Sequence, residues 1–129
     1  MSRTAGFRCS WSDVAVLVAM PPATWWLWSM VGPIAGVMPF AVGHFFLFCN
    51  VFRIQRGKEL LWAACCVLNV AGWAFADRLE WAWILAAQTP LTVALIGVEM
   101  RQPSYHGLMA HRINPCLANY LAGQEGKLP

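Results

Sequence analysis

Long apolar runs separated by short charged links are the main pattern along this chain. Three runs are almost free of charge, at residues 34–52, 59–76 and 81–99. As helices they would each measure roughly 27–28 Å, close to the ~30 Å hydrocarbon core of a bilayer. The links at 53–58 and 77–80 are short, which favours antiparallel neighbours. The pattern predicts an all-α integral membrane protein with these three runs as firm spans.

The apolar region that precedes these spans is interrupted by Pro21-Pro22. Residues before a proline avoid the helical conformation, which leaves two interpretations. In one, residues 12–31 form a proline-broken first span that turns at Gly32-Pro33. In the other, one long tilted helix starts after the prolines and runs to Phe52, with residues 12–20 as an interfacial segment. The sequence therefore predicts a bundle of three or four antiparallel helices.

The basic residues favour four spans. If the 53–58 link lies inside, four crossings place eight of the nine basic residues inside and leave Arg78 outside, whereas three crossings place six inside. Cytoplasmic loops are enriched in lysine and arginine. Tryptophan accumulates at both membrane interfaces, and the eight tryptophans agree with this orientation. Trp11 and Trp62 map near the inner boundary, and the others map near the outer one: Trp25, Trp26, Trp28, Trp73, Trp81 and Trp83.

Composition supports a membrane location and excludes some partners. Apolar residues make up 59% of the chain and charged residues 12%, about half the charge of a soluble domain. No basic stripe is present that would indicate a nucleic-acid partner. We predict a transmembrane domain over residues 1–100 in the cell (inner) membrane and a polar tail over 101–129 on the cytoplasmic side. Asn114-Pro115 has the pattern of a helix start, which predicts a short inner-side helix near residues 115–122.

Each firm span carries one hydrogen-bonding side chain near its centre. These are His44, Asn69 and Gln88, the last followed by Thr89. Polar groups at this depth are costly unless they are paired, so they normally face the bundle interior. We predict that they meet in one midplane cluster. The cluster would either join the helices by hydrogen bonds or form a ligand, cofactor or ion site centred on His44.

His44 and a cysteine pair are the candidate binding residues. His44 could supply one axial ligand to a pigment or haem macrocycle, with Gly43 leaving room for a flat ring. Cys65 and Cys66 are adjacent thiols inside a span, and thiolates select soft metals. The pair resembles the intramembrane cysteines of small mercury-uptake membrane proteins, a likeness limited to these two residues. Packing is the ordinary role of cysteine in such a run.

Small residues recur on one face of each of two spans. One face holds Cys65, Asn69, Gly72 and Ala76, and the other holds Ala82, Ala86, Thr89, Val93 and Gly97. Such faces allow helices to approach closely. The acidic residues Glu59, Glu80 and Glu99 stand at span ends. Glu99 and Arg101 lie at the inner boundary, where snorkelling charges are ordinary.

No nucleophile–base pair, phosphate loop or buried carboxylate dyad is evident in the sequence, so we do not expect an enzyme. We expect a small accessory or structural subunit that packs against a larger membrane complex, of which respiratory and photosynthetic complexes are examples. The alternative is a small homo-oligomeric transporter of a soft metal or small molecule that uses His44 and the pair Cys65 and Cys66. Its partners would be the lipid bilayer and copies of itself.

Overall fold

The computed structural model describes residues 4–123, and all regular structure in that part of the chain is helical. A 3-10 turn at Gly32–Gly36 precedes the second helix and a π turn at Leu47–Val51 follows it. The helices are α1 Trp11–Val31, α2 Val37–Phe46, α3 Arg56–Phe75, α4 Trp81–Met100, α5 Ala110–Ile113 and α6 Leu117–Leu121. Three helical stretches are long and apolar enough to cross a membrane: Trp11–Val51, Arg56–Phe75 and Trp81–Met100. The predicted all-α membrane architecture is confirmed at this level.

The first stretch folds back on itself at Gly32. This glycine has φ 68° and ψ −146°, a conformation that glycine adopts without the penalty of a side chain. The backbone nitrogen of Arg8 lies 3.0 Å from the carbonyl oxygen of Asn50. The predicted long helix from residue 23 to Phe52 would have to continue through Gly32, whereas α1 ends at Val31 and the chain reverses there. The long tilted helix is therefore wrong, and α1 forms an antiparallel hairpin with α2 and its flanking turns.

Helix α1 runs without a break through Pro21 and Pro22. Proline has a helix-compatible φ but removes a backbone donor, so the two prolines cost hydrogen bonds without reversing the chain. Thr24 donates its hydroxyl to the carbonyl oxygen of Met20 at 2.8 Å within the same turn. The helix begins with a capping box in which Ser10 and Asp13 bond each other's backbone nitrogen. The predicted proline break is thus absent, whereas the predicted turn at Gly32 is present.

Helices α3 and α4 form the second hairpin, and their buried positions follow helical spacing. On α3 these are Trp62, Cys66 and Val70. On α4 they are Ile84, Gln88, Thr92, Leu95 and Glu99. The predicted spans 59–76 and 81–99 agree with these helices within three residues, and the predicted span 34–52 corresponds to α2 with its two flanking turns.

Most residues of the small-residue faces lie outside this contact, although Asn69 takes part in it. Gly72 on α3 and Ala76 directly after it are exposed. On α4, Ala82, Ala86, Thr89 and Val93 are exposed. The sequence correctly groups these residues on shared faces, but within the chain the hairpin closes through larger side chains on other faces.

The two hairpins touch at two levels. At one end, the indole nitrogen of Trp81 donates to the carbonyl oxygen of Pro33 at 2.9 Å. A Cβ on Gly36 would lie 2.6 Å from the Trp81 ring, so that close approach requires glycine. In the middle, Phe40 and Phe48 contact the ring of Trp62, with centroids 5.6 and 5.5 Å away. Between these contacts a cavity of about 400 Å³ separates α2 from α3.

The two ends of the bundle differ in composition. We call one the tryptophan-rich end, where Trp73 stacks on Trp83 and Trp81 meets Pro33. We call the other the arginine-rich end, which comprises residues 4–13, 47–59 and 99–123 and carries Arg8, Arg53, Arg56, Arg101 and Arg112. The predicted inner-side positions of Arg3 and Lys127 lie outside the described residues.

The tail does not hang free of the bundle. Tyr105, Ala110 and Leu117 are buried in a second small core against Phe52 and Met100. A Cβ on Gly107 would lie 2.4 Å from the carbonyl oxygen of Phe52, so the backbones touch there. The predicted short helix appears as Leu117–Leu121. The Tyr105 hydroxyl donates to the carbonyl oxygen of Leu108 at 2.7 Å. Burial and the nearby charge of Glu99 raise the pKa of this hydroxyl.

Candidate functional site

Trp62 stands at the centre of the buried polar contacts between α3 and α4. Its indole nitrogen donates to the hydroxyl of Thr92 at 2.8 Å, and that hydroxyl donates to the carbonyl oxygen of Gln88 at 3.0 Å. The side-chain amide of Gln88 donates back to the carbonyl oxygen of Trp62 at 3.1 Å. We call these three residues the Trp62 cluster. They are at most 6% exposed, so their hydrogen bonds form in a medium where an unpaired group would be costly.

His44 covers one face of the Trp62 indole. The two rings are stacked, with centroids 4.4 Å apart and planes 18° from parallel. Nδ1 of His44 lies 2.9 Å from the carbonyl oxygen of Phe40. A carbonyl oxygen only accepts, so Nδ1 carries a proton, and in the neutral ring Nε2 holds the lone pair. The imidazole edge thus carries the lone pair that an axial ligand needs, while Trp62 shields one ring face.

The four residues of the predicted midplane cluster occupy different surroundings. His44 and Gln88 both lie against Trp62, but each side chain bonds a backbone carbonyl. Asn69 donates to the carbonyl oxygen of Ile84 at 3.0 Å, two turns along α3 from Trp62. Thr89 is exposed. Three of the four side chains therefore hydrogen-bond to backbone, two of them across the α3–α4 contact, and they do not bond one another.

Hydropathy and polarity along the sequence do not predict the roles of two members of the Trp62 cluster, Trp62 and Thr92. Trp62 maps to a membrane interface by its sequence position, yet it is only 1% exposed. Thr89 follows the polar Gln88 directly and is therefore the threonine that the sequence favours, whereas Thr92 lies one turn further along the helix. A signal was available in the spacing of the α4 face, where Gln88, Thr92 and Glu99 recur with Ile84 and Leu95 at intervals of three and four.

An ion pair closes the α3–α4 contact at the arginine-rich end. Nζ of Lys58 lies 2.5 Å from a carboxylate oxygen of Glu99. The Glu99 side chain is 4% exposed and that of Lys58 is 19% exposed. The expected snorkelling role of Glu99 is therefore wrong, because its carboxylate turns into the contact between helices. Breaking such a pair leaves a charge without its partner.

The two candidate thiols of α3 are placed differently. Cys66 is buried between Trp62 and Val70 and lines the cavity between α2 and α3. Cys65 is half-buried and points about 100° away around the helix, because consecutive residues are separated by that angle. Within residues 4–123, no group of three or more histidine, cysteine or acidic side chains is arranged to hold a metal ion.

Within the described part of the chain, every buried side-chain nitrogen or oxygen atom has a hydrogen-bond partner. The polar side chains of the α3–α4 contact are thus committed to holding the two helices together. Comparison with known protein families, with curated proteins and with solved structures finds no match in any of the three.

Proposed function

We propose that this chain is a small non-enzymatic accessory subunit that packs against a larger complex in the cell (inner) membrane. The observation that carries the proposal is the large helix surface that stays exposed in the folded chain. Helix α1 has 21 residues and none of them is buried. The small-residue face of α4 is also exposed, at Ala82, Ala86, Thr89 and Val93. Small residues favour close contact between membrane helices, so this face suits a neighbouring helix.

The polar contacts support the same proposal. The Trp62 cluster, Asn69 and the Lys58–Glu99 pair all join α3 to α4. A site for chemistry normally keeps a polar group free for a substrate, whereas these groups are saturated by the chain itself. Their arrangement suits a scaffold with a fixed shape that a partner can recognise.

We further propose four crossings with both chain ends in the cytoplasm. Helix α1 is about 32 Å long, and the hairpin at Gly32 returns the chain to the end where it started. The arginine-rich end would then face the cytoplasm, as the distribution of basic residues requires. Reporter fusions test this: a fluorescent protein at either terminus should fold and glow, and a periplasmic phosphatase inserted between Asp77 and Glu80 should be active. Phosphatase activity at a terminus would refute the orientation.

The subunit role is tested by purification of the native chain in mild detergent with mass-spectrometric identification of co-purifying proteins. We expect a fixed set of larger membrane proteins. Ala86→Phe on the small-residue face should reduce their recovery, whereas Ala64→Phe, at an exposed alanine on α3, is the matched control and should not. A chain that purifies alone, or two variants that behave alike, would contradict the proposal.

One observation favours a second candidate, the homo-oligomeric transporter. The cavity of about 400 Å³ between the hairpins is lined by Cys66 and Trp62, and a soft metal ion could use that thiol. Uptake of Hg(II) or Cu(I) by cells that express the chain should then fall in a Cys65→Ser/Cys66→Ser variant. Unchanged uptake would remove this candidate.

A visible absorption band in the purified complex that disappears in His44→Gln would instead identify His44 as a macrocycle ligand.

A further inference from the structure

The N-terminal segment and the tail meet at the π turn that ends the first hairpin. The backbone nitrogen of Arg8 donates to the carbonyl oxygen of Asn50 at 3.0 Å, and that of Leu108 donates to the carbonyl oxygen of Val51 at 2.8 Å. Gly6 also donates to the carbonyl oxygen of His106 at 2.9 Å. Segments about a hundred residues apart in sequence are therefore held side by side at the level where a membrane helix ends.

Exposed apolar and basic residues stand in both segments close to this meeting point. Phe7 is 56% exposed, Leu108 38% and Met109 51%. Arg8 and Arg112, close to them in sequence, are also exposed, and the backbone nitrogen of Arg112 bonds the carbonyl oxygen of Met109 at 2.9 Å. We call these five residues the interfacial patch. Exposed apolar side chains next to arginines at this depth match the boundary between acyl chains and phosphates.

The charge at this end indicates which lipids suit the patch. Within the described residues the arginine-rich end has six basic and three acidic side chains, whereas the 77–80 turn at the opposite end has one basic and two acidic ones. Lys58 and Glu99 neutralise each other. Asp13 caps α1 and its charge attracts that of Arg8, but the basic groups still outnumber the acidic ones. The arginine-rich end keeps a net positive charge, which attracts anionic headgroups.

We propose that the interfacial patch binds anionic phospholipids of the membrane leaflet, with Arg8 and Arg112 on the phosphates and Phe7, Leu108 and Met109 among the upper acyl chains. The inference rests on the multi-pass membrane placement and is independent of any partner subunit. It would make the N-terminal segment and the tail a joint lipid contact that exists only when both are docked on the π turn.

The full-length chain, purified in mild detergent, is titrated with phosphatidylglycerol or phosphatidylcholine, and bound lipid is counted by native mass spectrometry. We expect tighter binding of phosphatidylglycerol and weakening by high salt. The Arg8→Gln/Arg112→Gln variant should bind it less tightly by about five-fold for each arginine. Arg78→Gln, at the opposite end, is the matched control and should bind as the native chain does. Circular dichroism verifies that both variants stay folded.

Equal binding of the two lipids by the native chain would overturn the proposal, as would equal losses in Arg8→Gln/Arg112→Gln and Arg78→Gln. If instead the double variant loses a co-purifying membrane protein while its lipid binding is unchanged, the patch is a protein contact and the lipid assignment is wrong. The subunit proposal fails separately, when no partner is recovered with the native chain.

Discussion

The α3–α4 hairpin is joined by polar side chains along its length, whereas the polar link from α1 to the returning segment is at its first turn, between Asp13 and Asn50. Trp62, Gln88, Asn69 and Lys58 all reach across from one helix of the second hairpin to the other. In α1, Thr24 and Ser29 bond carbonyls within the same helix. Lipid tails are as apolar as leucine, so apolar surface alone gives membrane helices little reason to associate. The second hairpin therefore holds itself together, and α1 depends on its ends or on a partner.

Loss of the Trp62 ring should have the largest effect on this comparison. Trp62→Ala removes the donor to Thr92, the surface that His44 stacks on and the contacts with Phe40 and Phe48. We expect unfolding in detergent to become easier by about 3–5 kcal/mol. Trp25→Ala is the control, because Trp25 is 83% exposed on α1, and it should change stability by less than about 0.5 kcal/mol. Similar losses in both variants would show that the hairpins do not differ.

The ion pair at the arginine-rich end should rank second. Glu99→Gln keeps the shape of the side chain but leaves Lys58 without its counter-charge. A fully buried pair loses about 3–5 kcal/mol when one partner is removed. Lys58 is 19% exposed, so we expect a smaller loss of about 2 kcal/mol in chemical unfolding. The double variant Lys58→Met/Glu99→Leu should recover most of that loss, and a double variant less stable than Glu99→Gln would contradict the assignment.

A matched pair of valines gives the smallest and cleanest comparison. Val70 on α3 is 8% exposed and Val18 on α1 is 69% exposed. Val70→Ala should destabilise the purified chain by about 1–2 kcal/mol through lost packing contacts, and Val18→Ala by less than about 0.5 kcal/mol. If a partner covers α1 in the native membrane complex, Val18→Ala should reduce the stability of that complex more than it reduces the stability of the purified chain. Thermal unfolding of the two variants, with and without co-purified subunits, measures both effects.

The sequence predicts where the helices run because lipid imposes a length and an apolar composition on any span. One of the two interpretations of the first apolar region also places a turn at Gly32, where glycine precedes proline. The sequence does not predict that Trp62 is buried, because hydropathy cannot distinguish a side chain that faces lipid from one that faces another helix. The spacing of the small residues places them on shared helix faces but does not identify what those faces contact, because the same spacing suits a neighbour in the chain or in another subunit.

The candidate site was predictable only in part. His44, Asn69 and Gln88 stand out because a polar residue in an apolar run is visible by eye. Their partners are backbone carbonyls of Phe40, Ile84 and Trp62. Because every residue has a backbone carbonyl, residue types do not reveal which one accepts the hydrogen bond. Thr92 shares a helix face with Gln88, and that spacing was the one signal that could have added it.

The contact between the two distant segments at the π turn also sets an order of assembly. When the first hairpin leaves the ribosome and enters the membrane, residues 105–108 have not yet been synthesised, so the hydrogen bond from Leu108 to the carbonyl oxygen of Val51 forms later. Until then, water and lipid headgroups at the membrane surface can donate hydrogen bonds to that carbonyl. Closing a loop of that length is slow compared with forming local helices. The arginine-rich end is therefore completed last, after all the spans are in place, and a chain truncated before Gly107 would remain open there.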